Sequence, residues 1–271
     1  MIEKSVQTGG VTVGYEVHGP DDGPVLLLGH GLLFDHRMWA ALVPALAQEH
    51  RLLVVDVRGH GRSSVAGAFR MEDLAADWLA ILDAEGVERA TLVGLSMGGM
   101  TALRFALMSP GRVQALALLD TSAQPEAVWR QLKYGSLIRI WKRLGTNRII
   151  SFLVGQVLFG GTTRKRNPSL VARELAQIFA KRAEDLEPAI AAVVGRGDVS
   201  DRLDTIMRPT LVVVGAEDAA CPPSCSRLIA KRILGAQLVE LPGCGHMSTL
   251  EAPAAVLAAL SPFLATHARS R

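Results

Sequence analysis

The stretch TLVGLSMGGM, residues 91–100, joins an apolar run to a Gly-x-Ser-x-Gly turn and then to a helix-forming segment. Such a turn bends so sharply that its central residue is strained and its neighbours must lack bulk, which explains Gly94 and Gly98. A pentapeptide of this kind also arises by chance in a chain with 26 glycines, so its context matters. The buried strand before it and the helix after it predict that Ser96 is mounted as an exposed nucleophile.

A candidate acid and a candidate base follow in the order that this turn predicts. Residues 211–215, LVVVG, are typical of a strand buried on both faces, and Asp218 follows them closely. The next short strand, residues 237–241, leads into a Gly-rich loop that carries His246. A serine needs an imidazole to accept its proton and a carboxylate to orient that imidazole. Asp120 also ends a predicted core strand and is a rival to Asp218 as the acid.

Donors for a developing oxyanion are predicted next to the same strand ends. The apolar run before residues 29–32, GHGL, reads as a strand, and its small residues let the backbone N–H of Leu32 turn towards the pocket. With the N–H of Met97 it would form an oxyanion hole. His30 is interpreted as a structural histidine that holds this loop by hydrogen bonds.

These motifs resemble those of the α/β-hydrolase superfamily. The resemblance is carried by the segments 30–31 (HG), 56–63 (DVRGHGRS), 94–99 (GLSMGG), 215–218 (GAED) and 243–246 (GCGH). It is strongest to the bacterial branch that contains 3-oxoadipate enol-lactonases, small carboxylesterases and cofactor-free perhydrolases. The resemblance implies an α/β fold with a mostly parallel central sheet flanked by helices, an inserted helical cap, and a mechanism through Ser96, Asp218 and His246. Related dehalogenases and epoxide hydrolases use an aspartate nucleophile, so Ser96 argues against both.

Composition favours one compact α/β domain in a reducing compartment. The 271 residues are 49% hydrophobic and the net charge is +3. Three cysteines, an odd number, suit free thiols better than a disulfide framework. We find no signal peptide and no apolar run of the roughly 20 residues that span a bilayer, so we expect a cytoplasmic protein without a membrane partner. We also expect no cofactor, metal or nucleic acid, because the corresponding motifs are missing.

Strand signals vanish between residues 121 and 205, where helical patterns rich in Leu, Ile, Arg and Trp replace them. We therefore predict a core formed by residues 1–120 and 206–271 and a cap formed by residues 121–205. The cap contains 14 Lys and Arg against 8 Asp and Glu, so it is basic. Phe34, Trp141 and Phe152 are predicted to line the substrate pocket.

The sequence thus predicts a serine hydrolase that cleaves carboxylic esters of small molecules. One alternative is a lactonase similar to the enol-lactonases, in which a cap residue such as Arg196 would bind a substrate carboxylate. Another alternative is a small-ligand receptor with residual hydrolysis, since receptors of this fold keep the three catalytic residues. The oligomeric state cannot be predicted.

Overall fold

The computed structural model describes residues 1–145 and 148–268 and contains an eight-stranded mixed sheet. The strands are β1 (Ile2–Thr8), β2 (Val11–His18), β3 (Val25–Gly29), β4 (Arg51–Val55), β5 (Ala90–Leu95), β6 (Val113–Leu119), β7 (Thr210–Gly215) and β8 (Gln237–Leu241). Their order in the sheet is β1-β2-β4-β3-β5-β6-β7-β8. β1 and β2 pair antiparallel, β2 pairs antiparallel with β4, and every other pairing is parallel. The predicted mostly parallel sheet is confirmed.

Helices cover both faces of this sheet. They are α1 (Val43–Leu46), α2 (Met71–Ala84), α3 (Met97–Met108), α4 (Val128–Leu144), α5 (Arg148–Leu158), α6 (Gly161–Arg166), α7 (Pro168–Phe179), α8 (Ala183–Val194), α9 (Pro223–Arg232), α10 (Ser248–Glu251) and α11 (Pro253–His267). Short 3₁₀ helices span His36–Trp39, Pro110–Arg112 and Ser200–Thr205.

Side chains of alternate residues in the central strands pack into two apolar layers, one on each face of the sheet. Leu26 and Leu28 of β3 belong to one layer and Leu27 belongs to the other, because successive strand residues point to opposite faces. α11 packs into the first layer through Leu260, and α2 packs into the second through Trp78. Parallel strands buried on both faces need continuous apolar sequence, which is why β5, β6 and β7 were readily predicted.

The pattern of residues 38–47 is typical of an amphipathic helix, but the prediction of one helix over this stretch is wrong. The structure has a 3₁₀ turn at His36–Trp39 and then the four-residue α1. Pro44 lies in the first turn of α1 and has no N–H to donate to the carbonyl of Ala40, so one hydrogen bond of a helix over residues 38–47 would be missing.

The segment between β6 and β7 is called the cap below. Its described residues form the five helices α4 to α8 and no strand. Cap side chains such as Trp141 and Leu158 share an apolar cluster with core residues such as Leu95 and Leu119, so the cap packs directly on the core. Within the residues that the structure describes, no helix is long and apolar enough to cross a bilayer.

Candidate active site

Ser96 lies at the sharp turn between β5 and α3. Its backbone has φ +53° and ψ −111°, a conformation that residues with a side chain rarely adopt. A Cβ added to Gly94 would collide with the backbone of Gly98, and a Cβ added to Gly98 would collide with the carbonyl of Gly29. Both glycines are therefore required by the close approach of β3, β5 and α3.

The parallel register brings the candidate acid and base to the same edge of the sheet as Ser96. Nε2 of His246 lies 2.9 Å from Oγ of Ser96, and Nδ1 of His246 lies 2.8 Å from Oδ2 of Asp218. Oδ1 of Asp218 accepts the backbone N–H groups of Ala220 and Cys221 at 2.8 and 2.9 Å. Because Asp218 is an acceptor at both oxygens, the hydrogen of His246 belongs on Nδ1, which leaves Nε2 free to accept the proton of Ser96.

His246 is fully buried, and its surroundings set its basicity. Burial by itself lowers the pKa of the imidazole, but the charge and the hydrogen bond of Asp218 outweigh this effect and raise the pKa above its ordinary value. A raised pKa makes Nε2 a stronger base towards Ser96 and stabilises the imidazolium that proton transfer creates.

Asp120, the other candidate for the acid, lies near Asp218 and His246 but differs from Asp218 in its protonation. Its Oδ1 accepts the backbone N–H of Gly215 at 2.8 Å, and the side chain is completely buried. Burial and the neighbouring Asp218 raise the pKa of Asp120 to about 8. At neutral pH Asp120 is therefore mostly a neutral carboxylic acid, whereas the hydrogen bond to His246 is made by Asp218.

Two backbone N–H groups are available beside Ser96. Within the described residues, neither the N–H of Leu32 nor that of Met97 has an acceptor, while the neighbouring N–H of Gly98 donates to the carbonyl of His30. The imidazole of His30 accepts the N–H of Val57 at 2.9 Å and donates from Nδ1 to the carbonyl of Gly31. His30 thus braces the loop that carries Leu32, as the sequence predicts.

Ser96 and His246 open into a cavity of about 160 Å³ between the core and the cap. The cavity is lined mainly by apolar side chains of three cap helices: Leu137, Ile138 and Trp141 of α4, Ile150, Leu153, Val154, Val157 and Leu158 of α5, and Ile190, Val193 and Val194 of α8. Core residues that line it include Leu32, Met100 and Cys221. Trp141, predicted from the sequence, lies here and packs edge-on against Phe179.

Two predicted pocket residues lie elsewhere. Phe152 is 64% exposed on the outer face of α5, because the inner face is occupied by Leu153 and its helical neighbours. Phe34 lines a second cavity, shared with Asp35 and Arg37, and is not among the residues that line the cavity at Ser96. For these two side chains the predicted contact with the substrate pocket is wrong.

The charged residue that lines the cavity within the described part of the chain is Glu126, which the sequence reading missed. Nη1 of Arg196 lies 3.1 Å from Oε2 of Glu126, and the guanidinium also donates to the carbonyls of Gln124 and Val193. Arg196 is buried behind the cavity wall and is not among the lining residues. The predicted substrate anchor is therefore engaged with protein groups.

The loops that carry the acid and the base are fastened to the cap. Glu251 accepts the N–H groups of Gly160 in the cap and of Gly245 and Met247 beside the base, at 2.9 to 3.0 Å. Glu217, next to the candidate acid, accepts the N–H of Thr162. No local motif marks the role of Glu251 between cap and core, because Gly160 is 91 residues away in the sequence.

Comparison with known proteins agrees with this architecture. The family profile described as alpha/beta hydrolase fold matches residues 24–253. The 3-oxoadipate enol-lactonase 1 of Acinetobacter baylyi is 26% identical over 255 residues, which are 94% of each chain. Among solved structures, a thermophilic esterase from Thermogutta terrifontis superposes with a TM-score of 0.89 at 30% identity, covering 98% of this chain and 99% of the other.

The enol-lactonase from Burkholderia xenovorans superposes with a TM-score of 0.88 at 27% identity, covering 97% of this chain and 100% of the other. Because these similarities cover nearly the full length of both chains, they do not come from one shared motif alone. From the matching profile, the sheet order and these relatives, this chain is a hydrolase that belongs to the α/β-hydrolase fold family.

Proposed function

We propose that this protein is a carboxylic ester hydrolase that acts on small molecules through an acyl-enzyme. The observation that carries the proposal is the chain of hydrogen bonds from Asp218 through His246 to Ser96, which ends at the apolar cavity. Ser96 is the nucleophile, His246 the general base and Asp218 the group that orients the base. The enzyme core is formed by residues 1–120 and 206–271, and residues 121–205 form the cap.

The proposed reaction follows from the available proton acceptors and donors. Oγ of Ser96 attacks the ester carbonyl carbon as its proton passes to Nε2 of His246, and the carbonyl oxygen becomes an oxyanion bound by the N–H groups of Leu32 and Met97. His246 then gives that proton to the departing alcohol, which leaves an acyl group on Ser96. Water attacks the acyl group and gives a proton to His246, and the carboxylic acid departs as Ser96 regains its proton.

The cavity supports small neutral esters as substrates. Its walls offer aliphatic and aromatic contact to an acyl chain, and burial of each methylene stabilises binding by about 0.8 kcal/mol until the space is filled. Glu126 on the cavity wall is paired with Arg196 and Arg130, and the lining residues within the described chain include no Lys or Arg that could bind an anionic substrate. We therefore favour short acyl or aryl esters.

A lactone hydrolase is the second candidate, because two of the relatives reported above are named enol-lactonases. A substrate carboxylate would then need a cation, and Arg196 would have to release Glu126 to provide it. We rank this candidate second because that release leaves Glu126 without its closest charged partner.

The test compares wild-type enzyme with Ser96→Ala on p-nitrophenyl butyrate. We expect kcat to fall by about a thousandfold or more, with an unchanged circular dichroism spectrum, because the hydroxyl supplies chemistry and not packing. A folded variant that keeps more than about a tenth of the activity would remove Ser96 as the nucleophile. A strong preference for a carboxylate-bearing lactone that collapses in Arg196→Gln would replace the first candidate by the second.

A further inference from the structure

The outer faces of α4 and α5 carry large apolar side chains in solvent. Within the described residues eleven large apolar side chains are exposed, and six of them lie on these two helices. We call these six the cap patch: Val128, Trp129, Leu132, Ile140, Ile149 and Phe152. Trp129 and Leu132 are 62% and 69% exposed, so these side chains are largely in contact with solvent. Large apolar side chains exposed on two consecutive helices indicate an interaction site.

The part of the cap that contains α4 and α5 is strongly basic. Residues 127–173 contain ten Lys and Arg and no Asp or Glu. Arg139, Arg143 and Arg148 are exposed on α4 and α5, the two helices that bear the cap patch. The guanidinium of Arg130, which donates to the carbonyl of Ala220, lies 5.2 Å from the centre of the Trp129 ring and so helps to hold this exposed ring in place.

This combination fits an anionic lipid surface better than a second copy of the chain. Two identical cap patches facing each other would bring two copies of a segment with ten Lys and Arg and no Asp or Glu close together, and like charges repel. A lipid surface instead offers negative headgroups to Arg and Lys and an interfacial layer to Trp, Phe and Leu. Basic side chains close to an anionic leaflet are attracted to it, and aromatic side chains settle at headgroup depth.

We propose that the cap patch is a docking surface for membranes that contain anionic phospholipids. The inner faces of α4 and α5 line the cavity beside Ser96, so docking brings the cavity wall next to the lipid. Docking is peripheral and does not require the proposed ester hydrolysis, so the two proposals can fail separately.

The experiment uses full-length Ser96→Ala protein, in which the proposed nucleophile is removed so that binding is measured without ester hydrolysis. Vesicles of phosphatidylglycerol and of phosphatidylcholine are compared by co-sedimentation. We expect binding to phosphatidylglycerol to be about tenfold tighter or more and to weaken as salt is added. Trp129 is a built-in probe, because the other three tryptophans are buried. Its emission should shift to shorter wavelength on the anionic vesicles.

The variant pair Trp129→Ser with Phe152→Ser should weaken vesicle binding by about tenfold or more, since two large apolar side chains no longer enter the interface. Leu234→Ser is the matched control, because Leu234 is 78% exposed but lies on the core. The proposal is overturned if neither vesicle binds, if both bind equally, or if the paired variant binds like its parent. It is equally overturned if the cap patch joins two copies, seen as a dimer that the paired variant dissociates without any vesicle binding.

Discussion

Three residues with side chains have positive φ within the described chain, and all three follow strands that end at the candidate active site. They are Leu33 after β3, Ser96 after β5 and Asp120 after β6. Such conformations cost about 1–3 kcal/mol each and persist only where the surrounding structure enforces them. The backbone at this edge of the sheet is therefore held in place by its neighbours. That constraint gives Ser96 a fixed direction before any substrate arrives.

The two buried aspartates give a test at the scale of single residues. We expect Asp218→Asn to lower kcat/KM at pH 7 by about 10³- to 10⁴-fold, because the amide favours the wrong tautomer of His246. Asp120→Asn should change kcat/KM by less than about fivefold, because an amide resembles the neutral acid that a pKa of about 8 implies at pH 7. Single-turnover acylation measures both variants. A larger loss at Asp120 would reverse the choice of acid.

The sequence predicts strands and glycine-rich loops well because these signals are local. Ser96, Asp218 and His246 each follow a buried strand directly, so strand order alone places them at one edge of the sheet. The orientation of a cap helix is different. Nearly every one of residues 149–154 is apolar, so periodicity could not tell that Leu153 lines the cavity and Phe152 faces solvent. Tertiary packing decides that rotation.

Helix α8 gives a test at the scale of one element. Ile190 lines the cavity and Ala191, the next residue, is exposed. We expect Ile190→Phe to lower kcat/KM for p-nitrophenyl hexanoate relative to acetate by about tenfold or more, because the larger ring occupies the acyl space. Ala191→Phe is the matched control and should keep the wild-type ratio. If the wild-type enzyme prefers acyl chains beyond about ten carbons, the confined cavity is not the acyl site.

Over the whole molecule, the cap and the core meet through apolar packing and through a few buried polar contacts. Arg130 of α4 donates to the carbonyl of Ala220 at 2.7 Å, and the N–H of Ala220 in turn donates to Asp218. Glu251 joins Gly160 of the cap to the loop of His246. These contacts connect the cap directly to the loops that carry the proposed acid and the proposed base.

Glu251→Gln tests this connection. The substitution replaces one carboxylate oxygen by an NH₂ group and removes the negative charge. Oε2 of Glu251 accepts two N–H groups, so we expect the free energy of unfolding to fall by about 2 kcal/mol. We also expect kcat to fall, because the loop of His246 loses support. Urea denaturation and ester turnover measure the two effects. Glu49→Gln, at an exposed site, is the control, and equal behaviour of the two variants would contradict the role of Glu251.

The close approach of Gly160 and Gly245 bears on how such enzymes can be recombined. A Cβ on Gly245 would collide with the backbone nitrogen of Gly160, so residue 245 must be a glycine where the cap segment lies this close. A chimaera that takes its cap from a relative therefore needs a glycine at this position of the histidine loop. The two contacting segments are far apart in the gene. A crossover placed at the ends of the cap therefore separates the codons of two segments that touch in the folded protein.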